Sequence, residues 1–439
     1  MQTVHIGMIG LGNVGTGVVR ILQHQGELIA ARLGARLELK RVATRHPDRP
    51  RAVQLPAGCL TGDVSAVLDD PEIAIVVELI GGYEPARTYV LQALQRGKHV
   101  VTANKALLAR HGQEIFQAAT ARGCDLAFEA SVGGGIPIIR TINEALVANQ
   151  FQAISSIING TSNYILSQMS EHALDFHAAL AEAQRLGYAE ADPTFDIEGI
   201  DAAQKLALLA SLAFGSWVDH EQIYTEGISR LSQLDIAYAR EFGYAVKLLA
   251  LAKLADGALD LRVHPALVEA DSWLANVNGV YNAVSLRGDA VGRQMLIGRG
   301  AGPLPTGSAV VGDLVDVARN ILKASSGRVP LHALHTQHGP ALPRKDINDI
   351  VGKYYLRFQV VDKPGVLAAI AGVLGTHDIS IESVIQKGRS HAQETAVPVV
   401  MMTHEAYERS VRQALRAIQP LPAVLGDTMC VRVEPTDDD

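Results

Sequence analysis

Residues 4–17, VHIGMIGLGNVGTG, set an apolar run directly against Gly10-Leu11-Gly12-Asn13-Val14-Gly15-Thr16-Gly17, and residues 18–22 after it read as helix. Strand, G-x-G-x-x-G turn and helix, in that order, form the fingerprint of a dinucleotide-binding unit. The first glycine permits the tight turn, the second admits a pyrophosphate close to the backbone, and the phosphate charge lies on the helix N-terminus. Gly10, Gly12, Asn13, Val14, Gly15 and Thr16 are the expected cradle.

The pattern continues as such a unit requires. Residues 37–43, 73–80, 99–103 and 125–130 read as apolar strands, with helices expected over 84–96 and 105–122. Apolar strands alternating with helices indicate a parallel sheet covered on both faces, with ligands gathering at the carboxyl ends of the strands. The second strand ends in Ala43-Thr44-Arg45-His46, where an NAD site usually offers an acid to the ribose. Arg45 can instead meet a 2′-phosphate, which favours NADP over NAD, a solvated loop cation being the plain alternative. At the end of the 99–103 strand, Asn104 is placed to cap the next helix and Lys105 to project over the nicotinamide end of the cleft, unless it is simply an exposed first-turn lysine. Residues 298–313, GRGAGPLPTGSAVVGD, lead into a helix expected to start near Thr306 and to close over the coenzyme, with Gly302 at its approach.

The middle of the chain carries the chemistry. Residues 128–137 leave the sheet through Gly133, Gly134 and Gly135, which suit either a monovalent cation beside Glu129 or a hinge. An amphipathic helix is expected over 137–148, a strand over 151–158, and helices over 164–169 and 175–186. Residues 187–210, GYAEADPTFDIEGIDAAQKLALLA, then crowd Glu190, Asp192, Asp196, Glu198, Asp201 and Lys205 ahead of a buried helix starting near Ile200. Asp201 and Lys205 are four apart on one face, and that face continues through Leu208, Leu209 and Leu212. A lysine on a core-facing stripe is costly to bury unpaired, and desolvation moves it toward the range useful in proton transfer. A purely structural ion pair would show the same pattern. Asp256-Gly257 and Gly288-Asp289 each sit between strand-like runs, so an antiparallel sheet backed by helices is expected.

A net charge of −7 over 439 residues speaks against a nucleic-acid or anionic-membrane surface. Three scattered cysteines, no charged leader and no run of eighteen apolar residues lead to the expectation of a cytoplasmic protein of two to four domains. In the tail, His332, His335 and His338 invite a metal, but Pro330 and Gly339 break the helix that would align them. Residues 354–361, 365–374, 379–386, 394–402, 405–418 and 424–433 alternate as βαββαβ, a ferredoxin-like module.

Six motifs resemble the homoserine dehydrogenase family in order: GLGNVGTG at 10–17, TANKALLA at 102–109, FEASVGGGIPII at 128–139, NGTSNYIL at 159–166, GYAEADPTFDIEGIDAAQKL at 187–206 and GAGPLPTGSAVVGD at 300–313. The tail, opening YYLRFQVVDKPGVLAAIAGVL, resembles the ACT regulatory domain. The resemblance implies reversible NAD(P)-dependent interconversion of L-homoserine and L-aspartate 4-semialdehyde, with Lys205 as acid/base and Lys105 beside substrate and coenzyme. It further implies that Gly187, Glu190, Asp196 and Asp201 serve the substrate, and that a cation such as sodium sits near Glu129, Val132, Gly134 and Ile136. A homodimer or homotetramer is the expected assembly, and threonine the expected effector, at the turn of residues 362–365, a purely dimerising module being the plain alternative. The architecture expected is α/β: a Rossmann-type parallel sheet over 1–135, an α+β substrate and dimerisation domain over 136–320, a linker over 321–352 and a ferredoxin-like ACT domain over 353–439. A chain cut after Gly352 is then expected to stay active and lose its response to threonine. The rivals are another NAD(P)-dependent dehydrogenase of an amino acid or its semialdehyde, and a non-catalytic sensor of nucleotide and amino acid.

Overall fold

The structure, a computed structural model, describes residues 1–331, 342–387 and 396–435. The three histidines at 332, 335 and 338 lie outside the described residues. The chain forms two compact units: Met1–Gly160, Asp201–Ile223 and Tyr281–Ala341 make the first, and Thr161–Ile200, Tyr224–Val280 and Leu342–Asp439 the second.

In the first unit, β1 (Gln2–Ile9), β2 (Ala35–Ala43), β3 (Leu60–Thr61), β4 (Ile73–Glu78), β5 (His99–Thr102) and β6 (Leu126–Ala127) form a parallel sheet in the order β3-β2-β1-β4-β5-β6. Ile6, Met8, Ile75, Val76, Val77, Val100 and Val101 are wholly buried, as strands covered on both faces require. The strand order reverses between β1 and β4, so the ligand crevice opens at the end of β1.

The helix after the glycine turn, α1, runs Asn13–Leu33, well beyond residue 22, and stops where Gly34 turns left-handed at φ 79°. A Cβ at Gly17 would stand 1.9 Å from the carbonyl oxygen of Pro303, and one at Gly307 would stand 2.9 Å from the carbonyl carbon of Gly17. Two helices from opposite ends of the unit therefore cross backbone to backbone at this point. The second of them, Pro303–Lys323, begins three residues before Thr306, because Pro303 fills a first position that needs no N–H partner. The amphipathic helix expected over 137–148 is instead a single turn, Ile138–Arg140, followed by a wide turn over Thr141–Ala145. Four of the residues from 138 to 142 are β-branched, which disfavours a long helix. The strand Phe151–Ile157 pairs antiparallel with Tyr281–Gly288, which pairs in turn with Gly292–Arg299.

In the second unit, Tyr244–Ala255 and Ala258–Glu269, twelve residues each, form a hairpin through Asp256 and Gly257, at φ 54° and 74°. Two successive positive angles are the turn that matches strand twist. Val351–Val361, Val366–Thr376, Ile381–Gln386, Ala396–Thr403, Glu408–Ile418 and Met429–Val433 give the βαββαβ order. Tyr354, Leu356, Phe358, Ile370, Leu374, Met401, Val411 and Ile418 form its core. Met429–Val433 lies between Val351–Val361 and the end of Ala258–Glu269, joining the two sheets in one ladder. No helix among the described residues is long and apolar enough to cross a membrane.

Candidate active site

The helix Ile200–Phe214 starts with Asp201 in its first turn, where a carboxylate meets the positive end of the helix dipole. Asp201 is 4% and Lys205 9% exposed. The Lys205 Nζ donates to Asp201 Oδ2 at 2.7 Å and to the Ile158 carbonyl at 2.7 Å. Asn159 Nδ2 donates to the same Asp201 oxygen at 2.9 Å, and Lys105 Nζ stands 3.1 Å from the other. Burial alone pushes the Asp201 carboxyl up, but the Lys205 and Lys105 ammonium groups and these hydrogen bonds outweigh it and hold the group at about 2. Two cationic side chains thus converge on one carboxylate.

Lys105 arrives there from the sheet. It is the first residue of the helix Lys105–Arg122, capped by Asn104, whose Oδ1 accepts from Leu107 N at 3.1 Å while its Nδ2 donates to the Gly82 carbonyl at 2.8 Å. The Lys105 side chain is 32% exposed against 11% for Lys205, so the former faces the open side of the pair.

The glycine cradle lies at the end of β1. Gly10, at φ 107°, donates its N–H to the Ala43 carbonyl at 2.9 Å, and a Cβ at Gly15 would stand 2.6 Å from the Gly10 carbonyl oxygen. A Cβ at Gly12 would meet nothing within 4 Å, which leaves the backbone open to a ligand. Asn13, Val14 and Thr16 form the first turn of α1, and Gly302, at φ 121°, precedes the Pro303–Lys323 helix that packs on it. Arg45 is exposed at the end of β2. Arg51, which the sequence reading passed over, is tied into the cradle: its Nη1 donates to the Leu11 carbonyl at 2.8 Å, and its Nη2 to Thr44 Oγ1 at 3.1 Å and the His46 carbonyl at 2.8 Å. All three acceptors are neutral, so the guanidinium charge is not balanced by them. The only hint in the sequence was a third arginine among residues 45–51, with nothing in its spacing to show which one turns inward.

Glu129 is 4% exposed, and its two carboxylate oxygens accept from Ile139 N at 2.7 Å and Arg140 N at 3.0 Å. Its own N–H donates to Asp313, which Arg140 Nη2 also reaches at 2.8 Å. Burial, then the neighbouring Asp313, pushes Glu129 up to about 7, and burial lifts Asp313 to about 6. Val132 and Ile136 are buried beside it, and Gly133 and Gly134 turn left-handed at φ 70° and 57°. Among the described residues no group of three His, Cys, Asp or Glu side chains could hold a metal ion.

Gly187, Glu190 and Asp196 belong to the second unit. Gly187, at φ 75°, follows the Phe176–Arg185 helix, Glu190 is exposed, and Asp196 lies in the turn Thr194–Ile197, where its carbonyl accepts from Ser162 Oγ at 3.0 Å.

A parallel sheet with an open glycine cradle at its switch point, and a buried lysine–carboxylate pair on the same unit, define a nucleotide-dependent oxidoreductase. Family models agree along the chain: "Homoserine dehydrogenase, NAD binding domain" matches residues 10–129, "Homoserine dehydrogenase" residues 137–315 and "ACT domain" residues 354–423. The chain is 47% identical to the homoserine dehydrogenase of Pseudomonas aeruginosa, over 99% of both chains. Its fold matches the crystal structure of a homoserine dehydrogenase from Thiobacillus denitrificans at a TM-score of 0.92 and 47% identity, over 99% of both chains. A hyperthermophilic archaeal homoserine dehydrogenase mutant in complex with NADPH matches at a TM-score of 0.62 and 25% identity, over 73% of this chain and 98% of that one. The chain belongs to the homoserine dehydrogenase family and carries a C-terminal ACT domain. Its activity is that of a homoserine dehydrogenase, in threonine and methionine biosynthesis.

Proposed function

We propose that the chain interconverts L-homoserine and L-aspartate 4-semialdehyde with NADP in preference to NAD, Lys205 moving the proton. The observation that carries this is a nitrogen held out of bulk water between the Ile158 carbonyl and Asp201. Oxidation removes a hydride from the hydroxyl-bearing carbon and a proton from its oxygen. The nicotinamide, when bound, accepts the hydride. Lys205, as the neutral amine, takes the proton, and in the reverse direction, as the ammonium, returns it to the oxygen of the aldehyde as hydride joins the carbon. Asp201 holds Lys205 in place, and Lys105, on the more open side of Asp201, meets the substrate carboxylate. Glu190 and Asp196, with the turn at Gly187, are assigned to the substrate, the two carboxylates to its ammonium.

For the coenzyme, Gly10, Gly12, Asn13, Val14, Gly15 and Thr16 form the pyrophosphate cradle, and Gly302 borders it. Arg45 and Arg51 are assigned to the 2′-phosphate. Support comes from the lack of an acid in Ala43-Thr44-Arg45-His46, from the three neutral acceptors that hold Arg51, and from the NADPH of the archaeal relative. A monovalent cation such as sodium is assigned to Glu129, Val132, Gly134 and Ile136, where a carboxylate and left-handed glycines suit a hard oxygen-loving ion. The working assembly is a homodimer or homotetramer. Threonine acts at the turn of residues 362–365, which enters the Val366–Thr376 helix through Gly365 at φ 91°. A cytoplasmic site of action fits three cysteines that are all free.

One assay series tests the proposal: absorbance at the reduced-nicotinamide band with homoserine, either coenzyme, and sodium or threonine added. Lys205→Ala is expected to lose about 10²- to 10⁴-fold in kcat while its Kd for NADP stays unchanged. A kcat that survives the substitution removes Lys205 from the proton transfer. A preference for NADP over NAD that is unmoved in Arg51→Ala removes Arg51 from the 2′-phosphate assignment.

A further inference from the structure

The carboxyl end of β4 holds a group that the chemistry above does not use. Glu78 is wholly buried, on a strand whose preceding residues, Ile75, Val76 and Val77, are wholly buried and apolar. An apolar side chain would fill that place at less cost, since a carboxyl group taken out of water needs every acceptor satisfied. Glu78 meets the need locally: Oε1 accepts from Ile80 N at 2.8 Å and Gly81 N at 3.2 Å, and Oε2 accepts from Thr102 Oγ1 at 2.6 Å.

The Thr102 hydroxyl has one proton and gives it to Glu78, so toward its other neighbour it can only accept. It does so from Asn104 N at 3.0 Å. Asn104 then caps the helix that begins with Lys105, and its Nδ2 returns to Gly82 at 2.8 Å, on the loop that Glu78 already holds. The loops following β4 and β5 are in this way locked into one ring of hydrogen bonds with a fixed direction. Lys105 is the next residue out of that ring, and its Nζ stands 3.1 Å from Asp201. Thr102 is wholly buried and Asn104 6% exposed, so no water loosens the relay.

We infer that Glu78 is a positioning residue of the active site, setting through Thr102 and Asn104 where Lys105 stands against Asp201 and the substrate. The inference rests on the reading of Lys105 given above. Glu78→Gln keeps the shape and inverts one end of the relay: its amide either faces the N–H groups of Ile80 and Gly81, or donates to Thr102 and strands the hydroxyl proton.

The readout is the Kd of homoserine, titrated calorimetrically into full-length enzyme saturated with NADPH so that no turnover occurs, together with kcat. Glu78→Gln is expected to leave the Kd for NADPH within about threefold, to weaken homoserine, and to lower kcat by tenfold or more, toward the roughly 10²-fold that a misplacement of about 1 Å costs. In a Lys105→Ala background the same change is expected to move the homoserine Kd less than about twofold, because two residues acting through one contact are not additive. A tie that merely held β4 to β5 would give additive losses, and additivity overturns the inference. So does a near-normal Glu78→Gln when Lys105→Ala weakens homoserine, which leaves the reading of Lys105 intact. If Lys105→Ala itself changes nothing, that reading falls and the inference with it. Should Glu78→Gln fail to fold, Thr102→Val breaks the same relay, and Thr102→Ser is expected to restore both kcat and the homoserine Kd.

Discussion

At the scale of single residues, the centre turns on Asp201, which Lys105 and Lys205 both reach. The carboxyl group is held at about 2, below the 3.9 of an unfolded aspartate, so the folded protein binds its proton more weakly. The stability this provides is complete above about pH 4 and is lost as pH falls through 2. A shift of about two units corresponds to roughly 2–3 kcal/mol at most. Asp201→Asn is therefore expected to be less stable than the parent in denaturant unfolding at pH 5, and the gap is expected to close on acidification toward pH 2. A gap independent of pH would mean that packing, not charge, is what the aspartate supplies. The helical spacing of Asp201 and Lys205 made this pair legible in the sequence. Arg51 and Glu78 were not legible, because each matters through a distant partner that only the fold brings to it, the Leu11 carbonyl for the one and the Thr102 hydroxyl for the other.

At the scale of elements, the glycines of the fingerprint separate into two kinds. Gly12 faces open space, whereas a Cβ at Gly17 would collide with the backbone of Pro303, which cannot swing aside as a side chain can. Gly12→Ala is expected to keep its melting temperature and lose coenzyme affinity. Gly17→Ala is expected to lose about 1–3 kcal/mol of stability as well, because the two helices are forced apart. Thermal unfolding with and without NADP checks both, and equal melting temperatures for the two variants would contradict the assignment. The strands and the start of the Ile200–Phe214 helix were readable because burial on both faces, or on one stripe, leaves a periodic signature. The length of α1 was not, since the helix packed against it bears on it, whereas the β-branched run over 138–142 did mark the short turn at Ile138–Arg140.

At the scale of the whole molecule, the C-terminal strand Met429–Val433 is shared between the βαββαβ module and the Ala258–Glu269 strand. Just beyond it, Glu434 accepts from Arg262 at 2.5 Å and from Lys253 at 3.0 Å, and Arg262 is 4% exposed. A cut after Gly352 takes Glu434 away and leaves a buried guanidinium with Asp260 as its remaining carboxylate partner. The shortened protein is expected to lose about 3–5 kcal/mol, measured by its midpoint in urea, so its activity is to be assayed below that midpoint. Response to threonine is better separated from stability by substitutions in residues 362–365. A truncated chain with an unchanged midpoint would show that the module hangs free of the hairpin.

The helix crossing at Gly17 also bears on how the protein is made. Val18 and Val19 share a core with Val310, Leu314 and Val317, so the nucleotide half, begun at the first residue, cannot close until the ribosome has released residues beyond 317. Until then the nascent chain carries its oily surface uncovered, a natural stopping place for a chaperone, and a fragment ending before that helix has no means of shedding it.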